Sequence, residues 1–228
     1  MKFLHKKLLI FDLDGTLIDS VPDLAVAVNH MLTHLGKKPF KEDVIRYWVG
    51  NGAQMLVKRA LLGKSQLNEE IDTALFEEAL EIFLHFYRHN LCKTTQAYPH
   101  VRDSLDALKA HGYTLAIVTN KPYNFVAPIL KGLNLENLFE LILGGDSLEK
   151  KKPDPLPLEH VCDTLNISRE ASVMIGDSNN DILAANACGM ESIGVSYGYN
   201  YGESISFYKP RAVVDDFADI LKLLVPEK

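Results

Sequence analysis

The chain has 228 residues, 47% of them hydrophobic, and carries a formal net charge of -6 with a pI near 5.7. This length supports a full hydrophobic core, either as one domain with a large insertion or as two modest domains. The acidic balance argues against a general nucleic-acid-binding protein, because affinity for a phosphate backbone needs Lys and Arg concentrated on one face.

The first residues combine basic and apolar side chains, as a signal peptide does, but Asp12 and Asp14 soon interrupt the apolar run. We therefore predict a buried strand at this point. No apolar run approaches the roughly 18 residues needed to span a bilayer, so we expect no membrane insertion. Three widely spaced cysteines without CxxC spacing indicate neither a disulfide framework nor a zinc site, and favour a reducing, cytoplasmic location.

Short apolar runs that end in polar residues recur along the chain. The first covers residues 8–11, and the later runs predict further strands at 113–118, 138–143, 171–175 and 191–195. Helical patterns lie between them at 101–111, 123–132, 155–165 and 179–188. This alternation predicts a doubly wound α/β fold with a mainly parallel sheet, in which ligands bind outside the carboxyl ends of the strands.

Residues 21–92 break this rhythm. They contain three amphipathic stretches and no convincing strand, which predicts a helical cap domain inserted into a core made of 1–20 and 93–228. Residues 19–22 form the predicted outgoing linker and 94–99 the return linker. Either Ser20 or Asp19 is a candidate helix cap, because Pro22 suits the first helical turn.

Asp12 and Asp14 are two residues apart on an extended segment, so both carboxylates are expected on the same side of the strand end. Two acids held this close repel one another, and a divalent cation between them would relieve the repulsion. Hard oxygen ligands favour Mg²⁺ over softer metals. Gly15 gives the backbone room to turn, and Thr16 offers a hydroxyl and an amide.

Later strand ends carry complementary groups. Asp177 and Asp181 can add a third carboxylate and a supporting one. Thr119 ends the second predicted strand with a hydroxyl donor, and Lys152, held by neighbouring prolines, supplies a cation for phosphoryl oxygens. Taken without these neighbours, Lys152 in a run of three lysines would more often be a solvated loop charge. Together the strand ends predict an anion site inside an acidic protein.

Four ordered segments carry a family resemblance: Asp-Leu-Asp-Gly-Thr-Leu-Ile-Asp-Ser at 12–20, Thr-Asn-Lys at 119–121, Lys-Pro-Asp-Pro at 152–155 and Gly-Asp-Ser-Asn-Asn-Asp at 176–181. They resemble the four motifs of the haloacid dehalogenase-like phosphatases, over nearly the whole chain. Segments 48–52, 144–146 and 197–203 look like the bacterial phosphoglycolate phosphatases within that superfamily. Asn179 departs from the arginine often expected at its position.

The resemblance implies a magnesium-dependent phosphatase acting on a small phosphate monoester, with 2-phosphoglycolate the leading substrate. It implies that Asp12 is the nucleophile, forming an aspartyl-phosphate, and that Asp14 is the general acid and base. Mg²⁺ would be held by Asp12, Asp14 through its main-chain carbonyl, and Asp177, supported by Asp181 and Ser178. The phosphate would be bound by Thr119, Asn120 and Lys152, and the substrate contacted in the cap by Gly50, Asn51 and Gly52.

Other functions remain open at this stage. A sugar-phosphate mutase could share the four motifs and return the phosphoryl group to a sugar instead of water. A haloacid dehalogenase suits the acidic constellation less well, and a phosphate-binding regulatory module would saturate with ligand without turnover. The sequence does not determine the oligomeric state.

Several patterns have simpler interpretations than a site. The pairs His30/His34 and His85/His89 are spaced to share a helix face, which favours exposed cap surface over zinc binding. The tyrosines at 197, 199 and 201 suit a packed active-site loop better than a nucleic-acid stacking platform. The cap cations Arg46, Lys58 and Arg59 could receive a substrate carboxylate, but such residues are more often solvated helix charges.

Overall fold

The computed structural model describes residue 3 and residues 5–225. Six parallel strands form one sheet: β1 (Leu8–Phe11), β4 (Thr114–Val118), β5 (Leu141–Leu143), β6 (Ser172–Gly176), β7 (Glu191–Val195) and β8 (Ala212–Val214). Their order across the sheet is β5-β4-β1-β6-β7-β8. The predicted fold class, a doubly wound and mainly parallel α/β sheet, is confirmed.

The central strand β1 shows why this sheet needs helices on both faces. Its four residues are fully buried, and successive side chains point to opposite faces. Leu9 and Phe11 belong to the larger hydrophobic cluster, whereas Leu8 and Ile10 belong to the smaller one. A strand buried on both sides is therefore an uninterrupted apolar run, which is the pattern that predicted it.

Helices cover the two faces of the sheet. The larger cluster is completed by α5 (Val101–Ala110), α6 (Tyr123–Gly132) and α9 (Asp219–Leu224), and the smaller one by α7 (Leu156–Leu165) and α8 (Asn179–Ala187). The chain leaves β1 in the middle of the sheet, with β4 on one side and β6 on the other. The carboxyl end of β1 thus lies at a topological switch point, where such sheets bind ligands.

Four helices precede the second strand of this sheet: α1 (Val21–His34), α2 (Glu42–Arg46), α3 (Ala53–Leu62) and α4 (Thr73–His89). The helical content predicted for 21–92 agrees with this, while the exact domain bounds at 20/21 and 92/93 stay a prediction. Helix α4 begins later than its apolar pattern suggested, because the Asp72 side chain accepts the Leu75 amide at 2.9 Å and caps it. None of the helices in the described part of the chain combines the length and apolar content that crossing a bilayer requires.

The two linkers pair with each other. Ile18–Asp19 (β2) and Gln96–Ala97 (β3) form a short antiparallel ribbon. Below it, the buried Asp23 carboxylate accepts the amides of Lys93, Thr94 and Thr95 and two threonine hydroxyls. These bonds lower the pKa of Asp23, although burial opposes them. The start of α1 is therefore fastened to the return linker.

Candidate active site

Asp12 follows β1 directly, and the chain turns sharply three residues later, at Gly15. Gly15 has a φ of +90°, which favours glycine, and a Cβ at this position would lie 2.2 Å from Asp177 Oδ2. The Thr16 hydroxyl donates to the other oxygen of Asp177 at 2.7 Å. The turn after β1 and the loop after β6 therefore fit against each other only because residue 15 lacks a side chain.

Three buried carboxylates gather around one point. Asp12, Asp177 and Asp181 each offer one oxygen, and these atoms all lie within 4.8 Å of one another. Burial, together with the neighbouring carboxylates, raises the pKa of Asp12 to about 7 and the pKa of Asp177 well above its usual range. The neighbouring protein groups therefore do not fully stabilise the ionised forms of these carboxylates.

Lys152 supplies part of the missing positive charge. Its Nζ lies 3.0 Å from Asp12 Oδ1 and 2.6 Å from Asp181 Oδ1, and the residue is only 2% exposed. Burial alone would lower the pKa of Lys152, but the two carboxylates raise it. The alternative interpretation of Lys152 as a solvated loop charge is wrong.

The donor set fits a hard divalent cation. The cluster consists of three buried carboxylates, and one ammonium group, that of Lys152, pairs with two of them. The carboxylate charge that Lys152 leaves uncompensated would be stabilised by a cation, and oxygen ligands favour Mg²⁺. Asp181 supports the cluster, because its Oδ2 accepts both the amide and the hydroxyl of Ser178, at 3.0 and 2.8 Å.

The side chain of Asp14 lies in a different contact. Lys121 Nζ is 3.0 and 3.1 Å from its two oxygens, and the Ser20 hydroxyl donates to Oδ1 at 2.5 Å. Asp14 is not among the carboxylates that gather with Asp12, which are those of Asp177, after β6, and Asp181, in α8; the cation between Asp12 and Asp14 stays a prediction. Ser20 occupies the predicted position at the start of α1, but its hydroxyl serves Asp14 and makes no capping bond.

The loop after β4 brings the predicted phosphate ligands to the same edge. Thr119 and Asn120 are both buried and line one cavity with Asp12 and Asp14. The side-chain amide of Asn120 is already engaged, since it donates to the carbonyls of Gly50 and Lys152 at 3.1 and 3.0 Å. A phosphate contact from Asn120 would therefore come from its main-chain N–H.

The loop before α3 reaches this edge of the sheet. The Gly50 carbonyl also accepts Asn180 Nδ2, and Asn51 exchanges side-chain hydrogen bonds with Asn180 and Tyr201, at 3.2 and 2.8 Å. Gly50 and Gly52 line the cavity, and both have positive φ. A Cβ on Gly52 would lie 2.8 Å from the Asn120 carbonyl oxygen. The three predicted cap residues therefore contact the core beside Asp12 and Asp14.

Sequence reasoning missed Lys121 as a site residue. It is 5% exposed, and Asp14 and Tyr87 raise its pKa although burial alone would lower it. The available signal was its position directly after Thr119 and Asn120 at a strand end. Tyr87, whose ring centre lies 4.9 Å from Lys121 Nζ, belongs to α4 and gave no local signal at all.

The cap cations and histidines have other partners. Arg46 pairs with Asp19 at 3.1 Å and lies over the Tyr199 ring, while Arg59 donates to the Trp48 carbonyl. The Tyr199 hydroxyl donates to Asp19 at 2.5 Å, which packs its loop against the start of α1. The remaining groups also have local contacts: Lys58 with the Phe76 ring, His30 with the Phe86 ring, and His89 with the His85 carbonyl.

Gly15→Ala tests how closely the turn and the carboxylate cluster must fit. The new Cβ would push Asp177 away, and a displacement of about 1 Å in an active site costs on the order of 10²-fold in rate. Gly112→Ala is the matched control, because Gly112 has a similar φ of +85° with nothing within 4 Å of its Cβ. Both variants should be destabilised by a similar backbone strain, because alanine disfavours a positive φ. Only Gly15→Ala should also lose activity. Equal rates in the two variants would contradict this fit.

Known proteins resemble the chain along most of its length. The family model described as haloacid dehalogenase-like hydrolase matches residues 9–195. Phosphoglycolate phosphatases of Colwellia psychrerythraea and Psychrobacter arcticus are each 52% identical to the chain; the first match covers 97% of this chain and 98% of the relative, the second 97% of each. The crystal structure of a predicted phosphoglycolate phosphatase from Haemophilus somnus 129PT superposes with a TM-score of 0.90 at 42% identity, over 96% of this chain and 97% of that one.

These matches span both the strand ends that carry the acidic cluster and the helices inserted after β1. They confirm the family resemblance and the predicted enzyme class, a hydrolase with phosphatases among its relatives. The chain therefore belongs to the haloacid dehalogenase-like hydrolase family.

Proposed function

We propose that the protein is a cytoplasmic, magnesium-dependent phosphatase that hydrolyses 2-phosphoglycolate to glycolate and phosphate through an aspartyl-phosphate on Asp12. The observation that carries this proposal is the buried group of Asp12, Asp177 and Asp181 with Lys152 against it, beside a small cavity. The relatives that are phosphoglycolate phosphatases by name support the choice of substrate.

Asp12 would attack the phosphorus atom in line with the ester bond. As the phosphorus–oxygen bond to the alcohol breaks, Asp14 would donate a proton to the departing oxygen. Water would then attack the aspartyl-phosphate, with Asp14 accepting its proton, which releases phosphate and restores Asp12. Ser20 and Lys121 hold the Asp14 carboxylate in one orientation for both steps.

Asp12, Asp177 and the main-chain carbonyl of Asp14 would hold Mg²⁺. When bound, the cation supplies positive charge that offsets the nucleophile and the phosphoryl group. Lys152 adds a second positive charge, and its pairing with Asp181 fixes its position. The Thr119 hydroxyl and the main-chain N–H of Asn120 would bind the remaining phosphoryl oxygens.

Residues 21–92 would act as the cap domain. Gly50, Asn51 and Gly52 would cover the substrate, because this loop already bonds to Asn120 and Asn180 of the core. Covering the site would exclude water from the first step, which strengthens every charge interaction inside. The tight approach of Gly52 to the Asn120 carbonyl leaves no space for a side chain at that position.

The walls of the cavity favour a small substrate over a sugar phosphate. Beyond the polar end, the lining is apolar: Leu24, Val49, Leu56, Phe83 and Phe125. The hydroxyl groups of a hexose would lose their water partners against such walls, and unpaired buried polar groups are costly. The cavity therefore supports phosphatase action on a small substrate over mutase action on a hexose phosphate.

Phosphate release from a substrate panel tests the proposal. Equal concentrations of 2-phosphoglycolate, hexose phosphates and other small phosphate monoesters are compared with Mg²⁺ and with excess chelator. We expect release that is fastest from 2-phosphoglycolate and lost with the chelator. Selective release from a hexose phosphate would overturn the substrate, and undiminished release in chelator would overturn the metal.

A further inference from the structure

Lys121 is the only cationic side chain among the described residues that line the cavity. It lies at the polar end beside Asp14, with its side chain 3% exposed. An ammonium group has three N–H donors, and the contacts to Asp14 account for at most two of them. A buried cation with donor capacity to spare is therefore available to a second anion in this cavity.

Tyr87 faces the same cavity from α4. The residue is 1% exposed, and within the described part of the chain its hydroxyl has no hydrogen-bond partner. Lys121 Nζ lies 4.9 Å from the centre of its ring. The ring is held by Phe83, which stacks on it at 5.7 Å, and by the edge of Phe125 at 5.1 Å. Buried hydroxyl groups normally have a hydrogen-bond partner, so this one indicates that a bound ligand supplies the partner.

We infer that Lys121 and Tyr87 bind the carboxylate of the leaving group, and so select phosphate monoesters whose alcohol carries an acid. Lys121 contacts Asp14, the Tyr87 ring lies next to Lys121, and beyond the polar end the cavity wall is apolar. Thr119 and Asn120 would bind the phosphoryl group, so a carboxylate placed elsewhere in the cavity would lie against aliphatic and aromatic carbon, where an unpaired charge is strongly disfavoured. This inference rests on the proposed phosphatase function.

The chemistry of 2-phosphoglycolate suits this placement. Its carboxyl carbon is separated from the departing ester oxygen by a single methylene group. When Asp14 contacts that oxygen, the carboxylate falls within reach of the ammonium group that pairs with the same Asp14 side chain. Because Lys121 belongs to the core and Tyr87 to α4, a bound carboxylate would also join the cap helices to the core.

The test compares kcat/KM for 2-phosphoglycolate with kcat/KM for 2-hydroxyethyl phosphate, which replaces the carboxylate by a neutral CH₂OH. The ratio of the two values is measured in the wild type, Lys121→Met and Tyr87→Phe. We expect the ratio to fall about 10²-fold in Lys121→Met, because a buried charge pair is lost, and about tenfold in Tyr87→Phe. Within one variant, the ratio cancels any general loss of catalysis. Comparing the ratio of each variant with that of the wild type also cancels the different intrinsic reactivities of the two esters.

Tyr113→Phe is the matched control, because this variant also loses one tyrosine hydroxyl. Tyr113 precedes β4 at the end opposite Thr119 and donates to the Leu224 carbonyl at 2.5 Å, so its ratio should equal that of the wild type. Equal losses for both esters in Lys121→Met and Tyr87→Phe would overturn the inference while leaving the phosphatase intact. Release from neither ester by the wild type would overturn the proposed function and the inference with it.

Discussion

Asp12→Asn should abolish phosphate release while leaving the fold intact. The amide has nearly the same shape as the carboxylate but cannot attack phosphorus, and removing a nucleophile costs roughly 10⁶-fold in rate. Steady-state phosphate release with Mg²⁺ checks the activity, and far-ultraviolet circular dichroism checks the fold. Residual turnover near that of the wild type would contradict the role of Asp12.

The same variant should be more stable than the wild type at high pH without Mg²⁺. Because the pKa of Asp12 is raised to about 7 in the folded protein, ionising it opposes folding. The penalty is absent below the unfolded pKa near 4, grows as the pH rises, and is complete above about 7. Urea midpoints of Asp12→Asn and wild type should therefore coincide at low pH and separate at pH 8.

Lys152→Met should cause the largest loss of stability among the site variants. It leaves the buried carboxylates of Asp12 and Asp181 without their shared cation, and breaking a buried ion pair from one side costs about 3–5 kcal/mol. Urea unfolding at pH 8 with a chelator measures this loss. Adding Mg²⁺ should recover part of it, since the cation binds the same acidic group.

Lys150→Met is the matched control for that experiment. Lys150 belongs to the same run of lysines, but its side chain is 59% exposed and pairs with Asp154 at the surface. Screened surface pairs contribute little, so the unfolding midpoint should be unchanged. Equal midpoints for Lys150→Met and Lys152→Met would show that the buried Lys152 contributes no more to stability than the exposed Lys150.

Much of the sheet could be predicted because each central strand is an apolar run that ends in a polar group. Strands β1 and β7 have the predicted bounds, and β4 begins one residue later than predicted. Strand β8 was missed, because its three residues lie at the sheet edge and make too short a pattern. The short α2 was missed for the same reason, with five residues and one buried side chain.

The site was predictable where residue type alone implies the chemistry. Asp12, Asp177 and Asp181 follow strands that neighbour one another, so their carboxylates meet. The pairing of Asp14 with Lys121 was not predictable, since 107 residues separate them and only the β1–β4 register joins them. Tyr87 depends on how α4 packs over the site, which no local pattern encodes.

Detection of a phosphoryl group on Asp12 tests the central claim most directly. The wild-type enzyme is mixed with 2-phosphoglycolate and Mg²⁺, stopped in acid within one turnover, digested, and analysed by peptide mass spectrometry. We predict that the peptide containing Asp12 gains the mass of one phosphoryl group and loses it as phosphate appears. Phosphate release without any phosphorylated peptide, or with the group on another residue, would contradict the account.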